Sequence, residues 1–197
     1  MSAVGVRKYP APEIDKNEIL RYAKTKDGSD IEKTLDALLS EMLPLIDYSV
    51  VYSVFDFHEQ DKGCRIGELE IDSSFLKNAL KGCTRVIVFV ASIGAKVDRI
   101  VNKYLKISPL RALIAGAIGA ERVEALCDAF AMDISAEYGA TSGRFSPGYG
   151  DLPLELQKNV FELLNPEKHI GLTLTDGFVM SPSKSVSAFI GIKGKEK

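Results

Sequence analysis

The sequence has few of the residues that form metal sites or disulfide frameworks. Its three cysteines, Cys64, Cys83 and Cys127, are far apart and include no Cys-x-x-Cys pair, and there are only two histidines, His58 and His169. A zinc framework needs about four clustered ligands, so this composition excludes one. The odd number of cysteines predicts reduced, mostly buried thiols.

The chain also has no excess of positive charge. It contains 25 Lys and Arg residues against 27 Asp and Glu residues, a formal net charge of −2 at pH 7. Neither a helix-turn-helix pattern nor an RNA-reading aromatic signature is present. Nucleic acid is therefore not an expected partner, because such proteins neutralise phosphates with clustered basic residues.

Long hydrophobic runs are missing as well. The longest uncharged apolar run, residues 112–120, is far shorter than the roughly 20 residues of a membrane helix. The N-terminus has no signal-peptide pattern. We therefore expect a protein without a membrane span, located in the cytoplasm.

The residues that are present predict an α+β fold. At 46% hydrophobic content over 197 residues, the chain can bury the core of one domain spanning residues 1–197. Periodicity predicts helices at 16–23, 30–43, 73–80, 97–105, 110–138 and 154–164, and strands at 4–6, 49–57, 65–71, 85–91, around 171–175 and at 185–192. The Val, Ile and Phe run 85–91 is typical of a central buried strand. Small residues in 110–120 predict close packing of the long helix against another backbone.

The most informative segment is a loop that begins at Arg144. A guanidinium is a planar fork of donors that suits a carboxylate, while Gly148 and Gly150 allow positive φ and a close approach of the backbone to a ligand. Between them, Tyr149 can offer a ring face and a hydroxyl. The loop is suited to holding a small zwitterion, and the alternative is an ordinary Pro/Gly surface turn with an exposed arginine.

After this loop, Asp151 is a candidate N-cap for the helix 154–164, with Pro153 in the first turn. On that interpretation the free amides at the helix start lie beside the loop.

The Arg-x-x-x-Gly-Tyr loop of Arg144, Pro147, Gly148 and Tyr149 is followed by Glu-Leu-Leu at residues 162–164 and by Ser-Val-Ser at residues 185–187. With these features, the stretch 144–187 resembles, without a gap, the activation domain of cobalamin-dependent methionine synthases. Upstream, Asp128 precedes Ala-Phe-Ala and takes the position of an acidic family residue that faces the ligand. The resemblance implies a twisted, mainly antiparallel sheet packed with helices, with the ligand-binding part at about 121–192.

The resemblance implies S-adenosylmethionine as the ligand. Arg144 would hold its carboxylate, Asp128 its ammonium or sulfonium, and the loop from Pro147 through Gly150 its adenosyl part. Glu121 and Glu124 share a helix face with Asp128, and we expect both to be solvated. For Asp128 a solvated acidic face is an equal alternative.

One departure concerns a tyrosine that the multidomain enzymes supply after the Ser-Val-Ser strand. Here Ile192 is followed only by residues 193–197, so this contact has no counterpart. Tyr48, Tyr52 and Tyr138 are the candidates to fill the space.

The implied function is that of an accessory subunit that supports reductive methylation of cob(II)alamin in methionine synthase. Cobalamin would be carried by the partner synthase chain, with a flavodoxin-type protein as candidate reductant. We expect the subunit to act in trans and not to be catalytic alone, because the sequence shows neither the homocysteine and methyltetrahydrofolate barrels nor the cobalamin module of such an enzyme. The methyl group of a sulfonium is already activated, so this protein needs to supply only orientation. The cobalamin-binding Asp-x-His-x-x-Gly motif is absent, so we expect His169 to be a turn or packing residue.

Three other readings stay open at this point. The chain can be a regulatory module that senses S-adenosylmethionine without methyl transfer, or a copy that keeps the fold and has lost the ligand. An independent classical methyltransferase is least favoured, because the nearest strand-to-helix loop, residues 90–94, has one glycine where several are wanted.

Overall fold

The computed structural model describes residues 3–25 and 28–194, so the end of the C-terminal run, residues 195–197, lies outside the described residues. The helices are α1 (Lys16–Tyr22), α2 (Ser29–Met42), α3 (Ser74–Ala79), α4 (Ala95–Leu105), α5 (Pro109–Tyr138), α6 (Leu156–Leu164) and α7 (Pro166–Ile170). The strands are β1 (Gly5–Lys8), β2 (Ser49–Glu59), β3 (Cys64–Ile66), β4 (Leu69–Ile71), β5 (Cys83–Ser92), β6 (Thr141–Phe145), β7 (Thr173–Leu174), β8 (Met180–Ser181) and β9 (Ser185–Lys193).

Seven of these strands form one antiparallel sheet. Its order is β4-β3-β2-β5-β9-β6, and β1 pairs with the first part of β2, beyond the stretch that β3 occupies. The strands β7 and β8 form a separate two-stranded sheet. This architecture confirms the predicted α+β class with a mainly antiparallel sheet.

The central strand β5 shows how the core is divided. Its residues from Val86 to Ala91 are all fully buried, as the Val, Ile and Phe run predicted. Because side chains alternate across a strand, Ile87 and Phe89 face a core built with α1, α2, α4 and α5, whereas Val88 and Val90 face a core built with α3 and α6. Helices therefore cover both faces of the sheet.

The long helix α5 lies close to α4, as its small residues predicted. A Cβ atom added at Gly119 would lie 3.0 Å from the side chain of Val97 on α4. Ser108 caps the start of α5 by accepting a hydrogen bond from the backbone N–H of Arg111. The capped helix is 30 residues long, and its second half contacts the edge strand β6.

Several predicted boundaries were wrong. The predicted strand 65–71 is two strands, β3 and β4, because Gly67 makes a turn with φ 57°. The helix predicted from 154 begins at Leu156, and β6, α7 and β8 were not predicted. Strand β6 carries Arg144, and its sequence, with Gly143 and few apolar residues, has no strand pattern. It forms because the edge of β9 offers backbone partners.

Across the described part of the chain, no helix is both long and apolar enough to cross a membrane.

Candidate functional site

Arg144 and Phe145 are consecutive residues on the edge strand β6, and they point to opposite faces of the sheet. Arg144 pairs with Ile190 and Phe145 with Phe189 on β9. Ile190 belongs to the core on the α5 side, and Phe189 to the core on the α3 side. The alternation of one short strand therefore sends a guanidinium toward α5 and an aromatic ring toward α3.

The Arg144 guanidinium binds two carboxylates of α5. Its Nη2 donates to Glu124 Oε2 at 3.0 Å and to Asp128 Oδ1 at 2.8 Å. The Arg144 side chain is 24% exposed, compared with 41% for Glu124 and 67% for Asp128. Burial by itself would lower the pKa of Arg144, but nearby Cys127 and the two carboxylates raise it above its ordinary value.

The structure thus brings the predicted residues Arg144 and Asp128 together. Glu124, expected in a solvated face, is the second carboxylate of this ion pair. A helix places residues four apart on one face, so the spacing of Glu124 and Asp128 was a usable signal once the position of Arg144 was known.

The loop after β6 has the backbone that its glycines predicted. Gly148 and Gly150 have φ values of 93° and 60°, while Pro147 is buried and Tyr149 is 67% exposed. The Gly148 N–H donates to Leu152 O at 2.9 Å, and the Tyr149 N–H donates to Ser146 O at 3.3 Å. These two amides close the loop on itself, so they are occupied within the protein.

The interpretation of Asp151 as the cap of α6 was wrong. Its carboxylate instead accepts from the Ser73 hydroxyl, from Ser74 N–H at 2.9 Å and from Phe75 N–H at 3.2 Å, at the start of α3. The Ser73 hydroxyl, and then these amides, hold the pKa of Asp151 below its usual value. Asp151 is close to α6 in the sequence, but in the folded chain its carboxylate binds the groups at the start of α3.

Arg144 opens onto a groove of about 480 Å³. Its lining residues are Phe75, Glu124, Arg144, Phe145, Ser146, Tyr149 and Val186. One end is ionic and the other is largely aromatic. Sequence reasoning missed Phe75 and Phe145, since no local pattern relates α3 to β6.

A second groove, of about 450 Å³, shares Glu124 with the first and lies between α5 and the segment that leads into α1. It is lined by Pro12, Glu13, Asp15, Glu18, Glu121, Glu124, Ala125, Asp128, Ala129 and Met132. The two grooves meet at the Arg144 ion pair, so the ionic centre is reachable from both sides. A further groove, near Lys158, Phe161 and Leu174, lies away from Arg144 between α6 and β7.

Glu121 was expected to be solvated, and the structure contradicts this. Glu121 is 3% exposed and Arg122 is fully buried, and the two side chains form an ion pair. Arg122 also donates to Pro12 O at 2.7 Å, and Glu121 Oε1 accepts from Asp15 N–H at 3.1 Å. The pair therefore fixes the N-terminal segment that forms one wall of the second groove. The two buried charges are hydrogen-bonded to each other and to backbone groups of the N-terminal segment, as buried polar groups generally are.

None of the three tyrosines considered for the missing contact lines either groove. Tyr48 is buried, Tyr52 packs on Phe130, and Tyr138 contacts the guanidinium of Arg85.

Metal ligands do not gather in this site. Among residues 3–25 and 28–194 there is no group of three or more His, Cys, Asp or Glu side chains placed to hold a metal ion. His169 lies on the short helix α7, between α6 and β7, and it is exposed, so it is neither a turn residue nor a packing residue.

The fold and the groove define an α+β domain with an arginine–carboxylate centre at the edge of an antiparallel sheet. The family model described as "Vitamin B12 dependent methionine synthase, activation domain" matches residues 72–196, and the chain belongs to this family. It is similar in fold to a crystal structure of the MetH reactivation domain bound to AdoHcy, with 15% identity, a TM-score of 0.71, and coverage of 100% of this chain and 80% of that chain. A search of curated proteins gives no significant match.

Proposed function

We propose that the chain binds S-adenosylmethionine in the groove at Arg144 and serves the reactivation of a cobalamin-dependent methionine synthase. Its membership of the activation-domain family and its likeness to a domain crystallised with AdoHcy support this. The observation that carries the proposal is the combination, in one open groove, of an arginine with a carboxylate and of several aromatic rings.

The charges of the site match those of the proposed ligand. One guanidinium faces two carboxylates, so the centre has a net negative charge. S-adenosylmethionine carries an ammonium, a sulfonium and a carboxylate, and therefore has a net positive charge. The amino-acid end can insert into the ion pair, with its carboxylate on Arg144 and its ammonium on Glu124 or Asp128. This exchange replaces one set of charge-assisted hydrogen bonds with another.

The protein's contribution to methyl transfer is orientation. When bound, S-adenosylmethionine supplies a methyl group that the sulfonium already activates. Arg144, Glu124 and Asp128 would hold the amino-acid end and the rings of the groove the remainder, so that the protein orients the ligand for methyl transfer. No side chain has to act as a general base.

The proposal extends to a partner. We infer that cobalamin is bound by another chain or domain, that this protein works on it in trans in the cytoplasm, and that a flavodoxin-type protein supplies the electron. The support is the family assignment together with the absence of a cobalamin-binding Asp-x-His-x-x-Gly motif within these 197 residues.

Isothermal titration with S-adenosylmethionine tests ligand binding. We expect the parent to bind and Arg144→Ala to bind at least about tenfold more weakly, because a charge-assisted hydrogen bond contributes roughly 1.5–3 kcal/mol. Arg65→Ala is the matched control, since Arg65 lies on β3 near the opposite edge of the sheet. No binding by the parent, or equal binding by Arg144→Ala, would contradict the proposal.

A second experiment tests the role in trans. The protein, a cob(II)alamin-loaded synthase without its own activation domain, S-adenosylmethionine and a reductant are combined, and recovery of methylcobalamin is followed by absorbance. Recovery that depends on Arg144 supports reactivation. Ligand binding without recovery supports the alternative, a regulatory module that senses S-adenosylmethionine.

A further inference from the structure

We propose that Phe75, at the start of α3, is the residue that receives the adenine ring of the ligand, and that Asp151 positions it for this role. The inference rests on the proposed function and adds to it the side chain that recognises the flat half of S-adenosylmethionine.

The groove has two chemically different ends. Arg144 and Glu124 form the ionic end, and Phe75, Phe145 and Tyr149 form the aromatic end. A ligand with an amino acid at one end and a planar heterocycle at the other fits this division. With the amino acid on Arg144, the heterocycle falls among the rings, where stacking on an aromatic side chain is favourable for any base.

Phe75 is the ring that the fold holds in place. It is 38% exposed, although it is a large apolar side chain. Its ring contacts Phe145 nearly edge to face, with centroids 5.7 Å apart and an interplanar angle of 84°. Tyr149, in contrast, is 67% exposed. A ring already fixed at the groove loses less conformational entropy on binding than a freely exposed one, so Phe75 is the better platform.

The ligand loop itself fixes Phe75. A Cβ atom at Gly150 would lie 2.8 Å from Phe75 Cγ, so the loop backbone lies directly against the ring. Next to it, the Asp151 carboxylate accepts from the Phe75 and Ser74 amides and from the Ser73 hydroxyl. Asp151 therefore couples the position of the loop to the position of the Phe75 ring.

This coupling explains why α3 belongs to the site. The helix is short, and its first amides are satisfied by Ser73 and Asp151. Without Asp151 those amides would hydrogen-bond to water instead, and the link between α3 and the loop would be lost.

The test measures the affinity of three compounds by titration: S-adenosylmethionine, adenosine, which lacks the amino acid, and S-methylmethionine, which has the sulfonium and the amino acid without the adenine. The variant Phe75→Leu keeps an apolar side chain and removes the ring. We expect it to bind S-adenosylmethionine and adenosine about tenfold more weakly, and S-methylmethionine as the parent does. Phe161→Leu is the matched control, because Phe161 lines the remote groove beside α6.

A parallel pair of variants tests Asp151. Asp151→Ala should weaken S-adenosylmethionine and leave S-methylmethionine unchanged, and Asp151→Asn, which keeps one acceptor oxygen, should restore most of the affinity. A purely structural role would lower the affinity for both compounds equally.

The outcomes separate this inference from the function on which it rests. If the parent binds S-adenosylmethionine and Phe75→Leu binds it equally well, Phe75 has no such role and the proposed function stands. If the parent does not bind S-adenosylmethionine, the proposed function fails, and this inference fails with it. Circular dichroism of each variant verifies that it is folded.

Discussion

Arg144 and Asp128 contact each other at 2.8 Å across the gap between β6 and α5. The sequence assigned them to opposite charges of one ligand, and in the structure they neutralise each other. A zwitterionic ligand can replace both contacts, with its carboxylate on Arg144 in place of Asp128 and its ammonium on Asp128 in place of Arg144. A ligand with only one of the two charges would leave either the arginine or a carboxylate without its counterion, and the cost is larger for Arg144, which is 24% exposed, than for Asp128, which is 67% exposed.

The charge of the centre predicts discrimination between S-adenosylmethionine and S-adenosylhomocysteine. Asp128→Asn should weaken the first several-fold and the second less, because only the first carries a sulfonium. Titration with both compounds measures the ratio of affinities. Asp176→Asn, in the exposed turn between β7 and β8, controls for the loss of one surface charge. A ratio that does not change would show that Asp128 does not sense the sulfonium.

The contact between Gly150 and Phe75 predicts a loss of binding on a minimal substitution. Gly150→Ala adds a methyl group 2.8 Å from Phe75 Cγ at φ 60°, so it imposes both a clash and backbone strain. Gly171→Ala is a matched control, since Gly171 has φ 66° with no atom within 4 Å of the added Cβ. Both should lose about 1–2 kcal/mol of stability from the left-handed backbone. Only Gly150→Ala should also weaken S-adenosylmethionine, as titration would measure, and equal binding by the two variants would argue against a role for the contact.

The buried pair of Glu121 and Arg122 predicts non-additive stability effects. Arg122→Met leaves the Glu121 charge buried without its partner and should cost about 3–5 kcal/mol in the free energy of unfolding. The double variant Glu121→Leu with Arg122→Met should cost less than the sum of the two single variants. Urea unfolding of all four proteins measures this. Additive costs would mean that the two side chains act separately, through their bonds to the N-terminal segment.

Asp151 predicts a pH dependence. Because hydrogen bonds lower its folded-state pKa, its contribution to stability is present above the unfolded pKa of about 3.9 and is lost as the pH falls through the lower folded value. The stability difference between the parent and Asp151→Asn should therefore be constant between about pH 5 and pH 7 and should shrink below about pH 4. Thermal unfolding across this range measures it, and a difference that grows on acidification would have the wrong sign.

The cysteines predict low thiol reactivity in the folded protein. Burial raises the pKa of Cys127 to about 12 and that of Cys64 to about 11. Since the thiolate is the nucleophile, both should resist alkylation at pH 8 until the protein unfolds. Mass spectrometry after iodoacetamide treatment, with and without urea, measures this. Rapid labelling of Cys127 without urea would mean that the part of α5 around Cys127, next to Arg144, becomes accessible in the folded protein.

The sequence predicted most elements wherever a local pattern was strong. The apolar run of β5, the long α5 and the strand β9 were predicted nearly to their ends, since hydrophobic periodicity is a local property. Strand β6 was missed because its five residues have no such pattern and depend on the edge of β9 for their hydrogen bonds.

Some features of the candidate site could likewise be predicted from local sequence, and others could not. The residue types of Gly148 and Gly150 predicted the positive φ of the loop, and the structure confirms it. The prediction that Arg144 binds a ligand carboxylate stays a prediction, since in the structure Arg144 binds Glu124 and Asp128. Phe75 could not be predicted as a neighbour, because its contact with Gly150 joins distant parts of the chain.

The sequence alone therefore determined which chemical groups are available: one guanidinium, carboxylates at helical spacing, and glycines that allow a tight loop. Only the tertiary structure decided which of them meet. In the structure Glu121 is buried with Arg122, while Glu124 and Asp128 pair with Arg144. Asp151 caps the start of α3 and not that of α6. The physical reason is that residue type and spacing are fixed locally, whereas burial and pairing depend on where distant segments pack.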